Sequence, residues 1–557
     1  MVMEKRHQVV IVGGGPVGVG LAVDLGLRGL SCAIIERRTR LSDIPKGQNL
    51  TQRTLEHFYL WDIADELRKA RTMPPGYPIG QVTAYESLMG EFWHAPPGRE
   101  IVRPYYFQAN ERLPQYRTEG VLRRRMADFP NVHNYFGWTA TSVEQDADGV
   151  RVVVEKDGSQ EVLEAEYVVG CDGGRSLVRD QANIERHGTD FDEIMVLIVF
   201  RSRELHEALK RFPERSTYRV VHPDLKGYWM FFGRIDVGEG WFFHAPVPAG
   251  TTADNFDFEE LLHRAAGFEF SCEIGSVGFW DLRVQVAEEY RAGRAFIAGD
   301  AAHTHPPYGG FGLNNGLEDV VNLGWKLTAV LGGWGGDRLL DSYSLERRAI
   351  FRDIGEEIIA AEIEHERKFL ERYSPERDRE EFERAFHKLA PASGSLVRSY
   401  EPHYEGSPVV IGPPGGVISA RGSHSFTARA GHHLAPQPLS SGRNVYEELG
   451  TGFTLLAFGA GDADVQTFER AAAPLRIPLK VIRDSFTEGR EAYESRLILV
   501  RPDQYVVWVG NDAPDDADRL MRTVSGRTST SRLEDIGPLA DTAEGPRAAL
   551  GLKSPDL

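Results

Sequence analysis

Val9-Val10-Ile11-Val12-Gly13-Gly14-Gly15-Pro16-Val17-Gly18 is the stretch whose reading decides the fold. The apolar run reads as a strand, and the glycines read as a turn that opens a helix from Pro16 to about Arg28. A second apolar run, Cys32-Ala33-Ile34-Ile35, follows, so strand, turn, helix and strand begin a parallel α/β sheet. The spacing Gly13-x-Gly15-x-x-Gly18 has a physical cause. The first glycine makes the tight turn, the second lets backbone approach a pyrophosphate, and the third lets the helix pack on the strand. Pro16 and Val17 fill the first helical turn, whose free N–H groups favour an anion. Glu36, 23 residues after Gly13 at the end of the second strand, is placed to hold a ribose, with Arg37 beside it. An adenine dinucleotide is expected, and this motif alone does not separate FAD from NAD.

The rest of the chain bounds the setting. Its 557 residues and 41% hydrophobic content suit two or three packed cores. With 82 acidic against 64 basic residues and a formal charge of -18, non-specific attraction to nucleic acid or an anionic membrane is not expected. No apolar stretch approaches the roughly 20 residues of a membrane span, and Met1 leads directly into a short polar segment and a strand, so a cytoplasmic enzyme is expected. Cys32, Cys171 and Cys272 are widely spaced, and neither a disulfide framework nor a cysteine metal site is suggested.

Four units are expected. A discontinuous nucleotide-binding domain takes 1–182 and 286–400. Residues 183–285 form an inserted antiparallel sheet, with aromatic strands around Val196–Phe200, Tyr228–Phe232 and Trp241–His244. The alternation of charged and apolar residues over 341–391 predicts helices packed on the outside. A Pro/Gly-rich boundary over 406–416 precedes a small α/β domain at 407–525, and 526–557 reads as a mobile tail.

Two later segments decide the cofactor. Gly299-Asp300-Ala301-Ala302-His303, with Pro306-Pro307, Gly309-Gly310-x-Gly312-Leu313-Asn314 and Asp319-x-x-Asn322-Leu323-x-Trp325-Lys326-Leu327, resembles the flavin-ribityl motif of the class A flavoprotein aromatic hydroxylases, the group of para-hydroxybenzoate hydroxylase and phenol hydroxylase. Cys171-Asp172-Gly173-Gly174-Arg175-Ser176-x-x-Arg179 is similar to the DG motif of the same group. The resemblance implies FAD, with Asp300 on a ribityl hydroxyl and the backbone N–H groups of Gly312, Leu313 and Asn314 toward the pyrimidine side of the ring. Asp172 joins the cofactor set with the DG motif. Gln115, followed by Glu119 and Leu122, resembles the family's glutamine segment near the flavin. Where many relatives carry an arginine, this chain has Lys46, two residues before Gln48. A lysine can hold a phosphate but lacks the bidentate fork. Arg123, Arg124 and Arg125 are further cationic candidates.

The resemblance further implies that NAD(P)H, as co-substrate, reduces the FAD, and that O2 is captured as a flavin C4a-hydroperoxide that hydroxylates a small electron-rich aromatic compound. Such a site needs a proton acceptor and shelter from water. His305 is the candidate acceptor, and the Pro307 carbonyl is expected beside the position of oxygen transfer. Tyr228, Phe231 and Phe243 are the pocket candidates, and period-2 alternation lets only one of Phe243 and His244 face the cavity.

Residues 407–525 resemble the thioredoxin-like C-terminal domain of phenol hydroxylase through Arg429-Ala430-Gly431-His432-His433, Gly452-Phe453-x-Leu455-Leu456 and Leu499-Val500-Arg501-Pro502-Asp503. They contain no cysteine, so thiol redox chemistry is excluded and packing, against the FAD domain or in a homodimer, is its expected use. No Trp-x-Trp-x-Ile-Pro segment of the flavin halogenases occurs. Two alternatives stay open, an oxygenase of a polyketide or antibiotic and a flavin-binding protein without turnover. No metal is expected.

Overall fold

The computed structural model describes residues 5–305 and 309–528. Arg6–Val12 is a central strand, parallel to Cys32–Glu36 on one side and to Ser159–Gly170 on the other. Val132–Phe136 and Ala295–Ile297 extend the parallel sheet at its two sides. Val9, Val10 and Ile11 have no exposed surface, as a strand covered on both faces requires. Helix Pro16–Leu27 covers one face and lies against helix Phe311–Leu331.

The second sheet is mainly antiparallel, in the order His303–Thr304, Glu273–Ala287, Arg186–Arg201, Gly240–Val247, Trp229–Arg234, Thr217–Val221, Gln81–Tyr85, Trp93–His94. It therefore draws strands from both sides of the 183–285 insertion. Alternation divides its aromatic residues between two faces. Trp241, Phe243, Phe232 and Phe200 join the core beneath helix Phe258–Ala266. Met195 and Trp229 face the other way, into a core shared with Phe311, Ile354 and the C-terminal domain, and Phe231 and Trp280 pack on it.

Leu479–Asp484, Phe453–Phe458, Leu497–Val500 and Val506–Gly510 form the C-terminal sheet in that order, the first pair parallel and the others antiparallel. Helices Asp462–Ala472 and Ala517–Val524 accompany it, and this is the thioredoxin-like arrangement. Helix Arg338–Asp353, expected on the outside, is buried between this domain and the nucleotide-binding one. Its charged residues are matched internally. Glu346 accepts from Lys326 at 2.8 Å, from Arg501 at 2.7 Å and from Ser407 at 2.6 Å. Such a carboxylate is retained inside only when its hydrogen-bonding capacity is filled. The tail expected at 526–557 lies, beyond Thr528, outside the described residues.

Candidate active site

The first glycine motif is read most directly from what a side chain would strike there. Gly13 has φ +107°, and a Cβ on it would fall 2.3 Å from the carbonyl oxygen of Cys171. A Cβ on Gly18 would fall 1.9 Å from the Gly13 carbonyl oxygen. Gly15 differs, because a Cβ there meets nothing within 4 Å. The chain itself thus requires the first and third glycines, whereas the second faces open space at a helix start that Pro16 begins and no side chain caps. A pyrophosphate would fit that open space. Glu36 stands beside it, accepting from the Gly14 N–H at 2.8 Å, and Arg123 donates to the Gly14 carbonyl at 3.1 Å. Arg37 is exposed at the end of the strand.

The three motifs meet here. Val17 lies against the ribityl segment, since a Cβ on Gly316 would sit 2.6 Å from its side chain and one on Gly299 3.0 Å. Arg179 of the DG motif donates to the carbonyls of Gly174 at 3.1 Å and Ala301 at 3.2 Å. Asp172 accepts from the N–H groups of Leu177 at 2.7 Å and Val178 at 3.3 Å, and so caps the short helix that follows, while its Oδ1 is buried without a partner. Burial raises its carboxyl pKa. Asp300 is open to solvent but enclosed enough that desolvation raises its carboxyl pKa, opposed by the charges of His303, Lys46 and Arg186.

Helix Phe311–Leu331 begins at Gly310 without a side-chain cap, so its first N–H groups are available to a ligand. Asn314 holds this end in place. Its Oδ1 accepts from the Thr51 N–H at 2.9 Å and the Thr54 hydroxyl at 2.6 Å, and its Nδ2 donates to the Asn49 and Gly310 carbonyls at 2.8 and 2.6 Å. With its amide spent on protein, only its backbone can serve a cofactor. Gln115 accepts from the Gly47 N–H at 3.2 Å and donates to Glu119 at 2.8 Å, and Leu313 lies against Gly47. Gln48 is buried with neither amide atom paired. A buried amide without partners is costly, and a cofactor's polar edge would satisfy it. Lys46 is exposed, with its charge acting on both Asp300 and Glu119. Gly15, Gln48 and the uncapped helix end are thus a fitting receptor for FAD.

Across from the helix end, the sheet presents Phe231, Phe242, His244 and Trp280, with His244 4.9 Å from Trp280 and 5.3 Å from Phe242, centroid to centroid. Phe243 is on the opposite face, wholly buried 4.5 Å from Phe232, so the expectation that it lines the pocket gives way to Phe242 and His244. Tyr228 precedes the Trp229–Arg234 strand and, with Phe231, packs half-buried on the shared core. His244 Nδ1 is buried without a partner, and burial lowers the imidazole pKa to about 4, leaving it neutral near pH 7. His305 lies at the helix start, where a Cβ on Gly312 would be 3.5 Å from its Nε2, and its ring approaches Phe311 and Phe351 at 6.3 and 5.4 Å. Pro307 lies outside the described residues.

Arg112 carried no sequence signal, and Phe242 only that of its aromatic strand. Arg112 donates to Asn49 Oδ1 at 2.9 Å and to the Arg234 carbonyl at 3.0 Å, with its guanidinium 5.7 Å from the Phe242 ring centroid. Burial, with Arg234 nearby, lowers its pKa to about 9. It ties the loop beside the helix end to the aromatic sheet face, a junction between segments too far apart in sequence for any spacing to reveal.

Gly15, the unpaired Gln48 amide and the uncapped helix end, set beside an aromatic sheet face, define the class: a flavoprotein. Residues 6–357 match the FAD binding domain family and residues 427–528 the aromatic-ring hydroxylase C-terminal family, and the chain belongs to the FAD-dependent aromatic-ring hydroxylases. It is 30% identical over 541 residues to a 4-methyl-5-nitrocatechol 5-monooxygenase of a Burkholderia species, covering 92% of this chain and 96% of the relative. It is 29% identical over 527 residues to the rifampicin monooxygenase of Streptomyces venezuelae, covering 92% and 97%. Among solved structures, aklavinone-11 hydroxylase in complex with FAD and aklavinone superposes with a TM-score of 0.79 at 25% identity, over 94% of this chain and all of that one. Among the described residues no helix is long and apolar enough to cross a membrane.

Proposed function

We propose that this FAD-dependent monooxygenase hydroxylates a small phenolic or heteroaromatic ring, using NAD(P)H and O2. The observation that carries the reading is the meeting of three sequence-distant motifs at an uncapped helix end, opposite an aromatic sheet face that holds one neutral, unpaired histidine nitrogen. Bound FAD would supply electron transfer and oxygen activation. The chain supplies position and polarity. The first-turn N–H groups of helix Phe311–Leu331 stabilise negative charge that develops opposite them. Phe231, Phe242 and Trp280 hold the ring and exclude water. His244 Nδ1 accepts a hydrogen bond or proton from the substrate hydroxyl, with His305 the alternative acceptor at the helix end. The likeness to proteins named for rifampicin and aklavinone favours a second reading, a polycyclic polyketide or antibiotic as substrate.

The test is anaerobic bleaching of the flavin by NADH and by NADPH across a panel of simple phenols, hydroxylated benzoates and pyridines, and large polycyclic phenols. Air is then admitted and the product identified by mass. Stimulation and oxygenation with a small phenol are the expected result. Stimulation by polycyclic compounds alone selects the second reading, and flavin that stays oxidised with every nucleotide and phenol defeats both in favour of a non-catalytic flavin-binding protein.

A further inference from the structure

Among side chains with no part in the site described above, His403, Glu405 and His432 bring one ring nitrogen each and a carboxylate oxygen within 4.8 Å of one another. His403 lies in strand Tyr400–Tyr404, Glu405 follows it, and His432 opens the C-terminal domain. The two histidines are 6% and 3% exposed, while the Glu405 side chain keeps 24% of its surface in solvent.

The outer partners fix which nitrogens carry protons. His432 Nδ1 is 2.8 and 3.0 Å from the two Glu401 oxygens, and a carboxylate can only accept, so Nδ1 donates. His403 Nε2 is 3.1 Å from the Arg421 carbonyl and donates likewise. This leaves His403 Nδ1 as a lone pair, buried and without a hydrogen-bond partner. His432 Nε2 donates to Glu405 Oε1 at 2.8 Å, a proton that a bound ion would replace, and the rings stack 4.5 Å apart at 13°. Two imidazoles, each oriented through its far nitrogen by a carboxylate or backbone carbonyl, with a third group, the Glu405 carboxylate, already against one of them, resemble the oriented ligand sets by which proteins hold a metal.

We propose that His403, His432 and Glu405 bind one divalent transition-metal ion, with Glu401 and the Arg421 carbonyl as orienting partners. Zinc fits best, because two nitrogens and one carboxylate oxygen suit it and Glu405, the exposed member, leaves a fourth position open to water. Coordination bonds of about 2.0–2.2 Å require the three groups to close inward on the ion. The ion would pin the strand at 400–404 to the start of the C-terminal domain. The competing arrangement, a His432 imidazolium held between Glu401 and Glu405, gives His403 no part.

Metal-free, FAD-loaded full-length protein titrated with zinc chloride by calorimetry decides between them, with FAD absorbance reporting on the fold of each variant. One zinc per chain is expected. Glu401→Gln, which keeps shape but weakens orientation, should lower zinc affinity about 10–100-fold, and His403→Ala should lower it further. Wild-type protein that takes up no zinc overturns the proposal, as does a His403→Ala or Glu401→Gln protein that binds zinc as tightly as wild type.

Discussion

Gly15→Ala and Gly18→Ala, two substitutions three residues apart, should fail in opposite ways. At Gly15 the added methyl meets no atom within 4 Å, and the backbone, at φ -74° and ψ -176°, suits alanine. The FAD-free protein should therefore keep its stability or gain about 0.4–1 kcal/mol from a less flexible unfolded chain. The methyl instead occupies the space assigned to the pyrophosphate, and FAD affinity should fall at least about tenfold, or about 1.4 kcal/mol. At Gly18 the methyl starts 1.9 Å from the Gly13 carbonyl oxygen and must reach 3.0 Å, so helix and strand must part by about an ångström. Overpacking against backbone costs about 1–3 kcal/mol or more whether or not FAD is bound. Thermal unfolding of the FAD-free proteins, with titration of FAD by quenching of its fluorescence, separates the two. A Gly15→Ala protein that binds FAD like wild type, or unfolds as early as Gly18→Ala without FAD, refutes the reasoning.

Phe242 and Phe243 are both buried, so either change to Ala should cost stability, about 3–5 kcal/mol for Phe243→Ala by denaturant titration, but only Phe242→Ala should also raise KM and uncouple NAD(P)H oxidation from product formation. His244→Asn should slow product formation about 10²–10⁴-fold if it accepts the substrate proton, measured as product per NAD(P)H consumed. Because burial holds His244 near a pKa of about 4 against an unfolded value of about 6.5, its contribution to stability is complete above pH 6.5 and is lost as pH falls toward 4, to a total of about 3 kcal/mol. His244→Phe should flatten that acid branch in chemical denaturation at stepped pH. Glu346→Ala strands Lys326 without its carboxylate and leaves Arg501 only Asp503, and should cost about 3–5 kcal/mol, with faster proteolytic release of the C-terminal domain as a second readout.

The cofactor side of the site was legible because its rules are local. Gly13, Gly15 and Gly18 repeat at a spacing set by one turn, and Asp300 with Gly312 belongs to a second compact segment, so strand, loop and helix could be read in order. The substrate side was not, because it is made of alternation and distant junctions. The sequence shows that Phe243 and His244 face opposite ways but not which face meets the flavin domain, and that choice depends on the helix at 258–266 covering one side. Arg112 reaches the site through Asn49, 63 residues away. The helices at 341–391 were legible as helices, but their charges suggested water, since nothing local distinguishes a solvated Glu346 from one paired with Arg501, 155 residues on.

That buried pairing also explains what a thioredoxin-like domain without cysteines contributes. Helix Phe311–Leu331 offers its start to the cofactor, but its next turns are anchored elsewhere. Glu318 accepts from Arg53 at 3.1 Å, and Arg53 also reaches the Asp503 carbonyl at 2.6 Å. Asp319 joins Arg347 at 2.7 Å and His303 at 2.7 Å, and Lys326 shares Glu346 with Arg501. Burial lowers the Lys326 pKa to about 8, opposed by the Glu346 carboxylate, with Arg501 adding a competing positive charge. Because these bonds run through one helix, displacing the C-terminal domain should shift the helix start that would hold the cofactor. The expected role of the domain is to fix the direction of that helix end, so a loss of packing at Arg501 should be felt as poorer coupling of oxygen transfer before it is felt as loss of FAD.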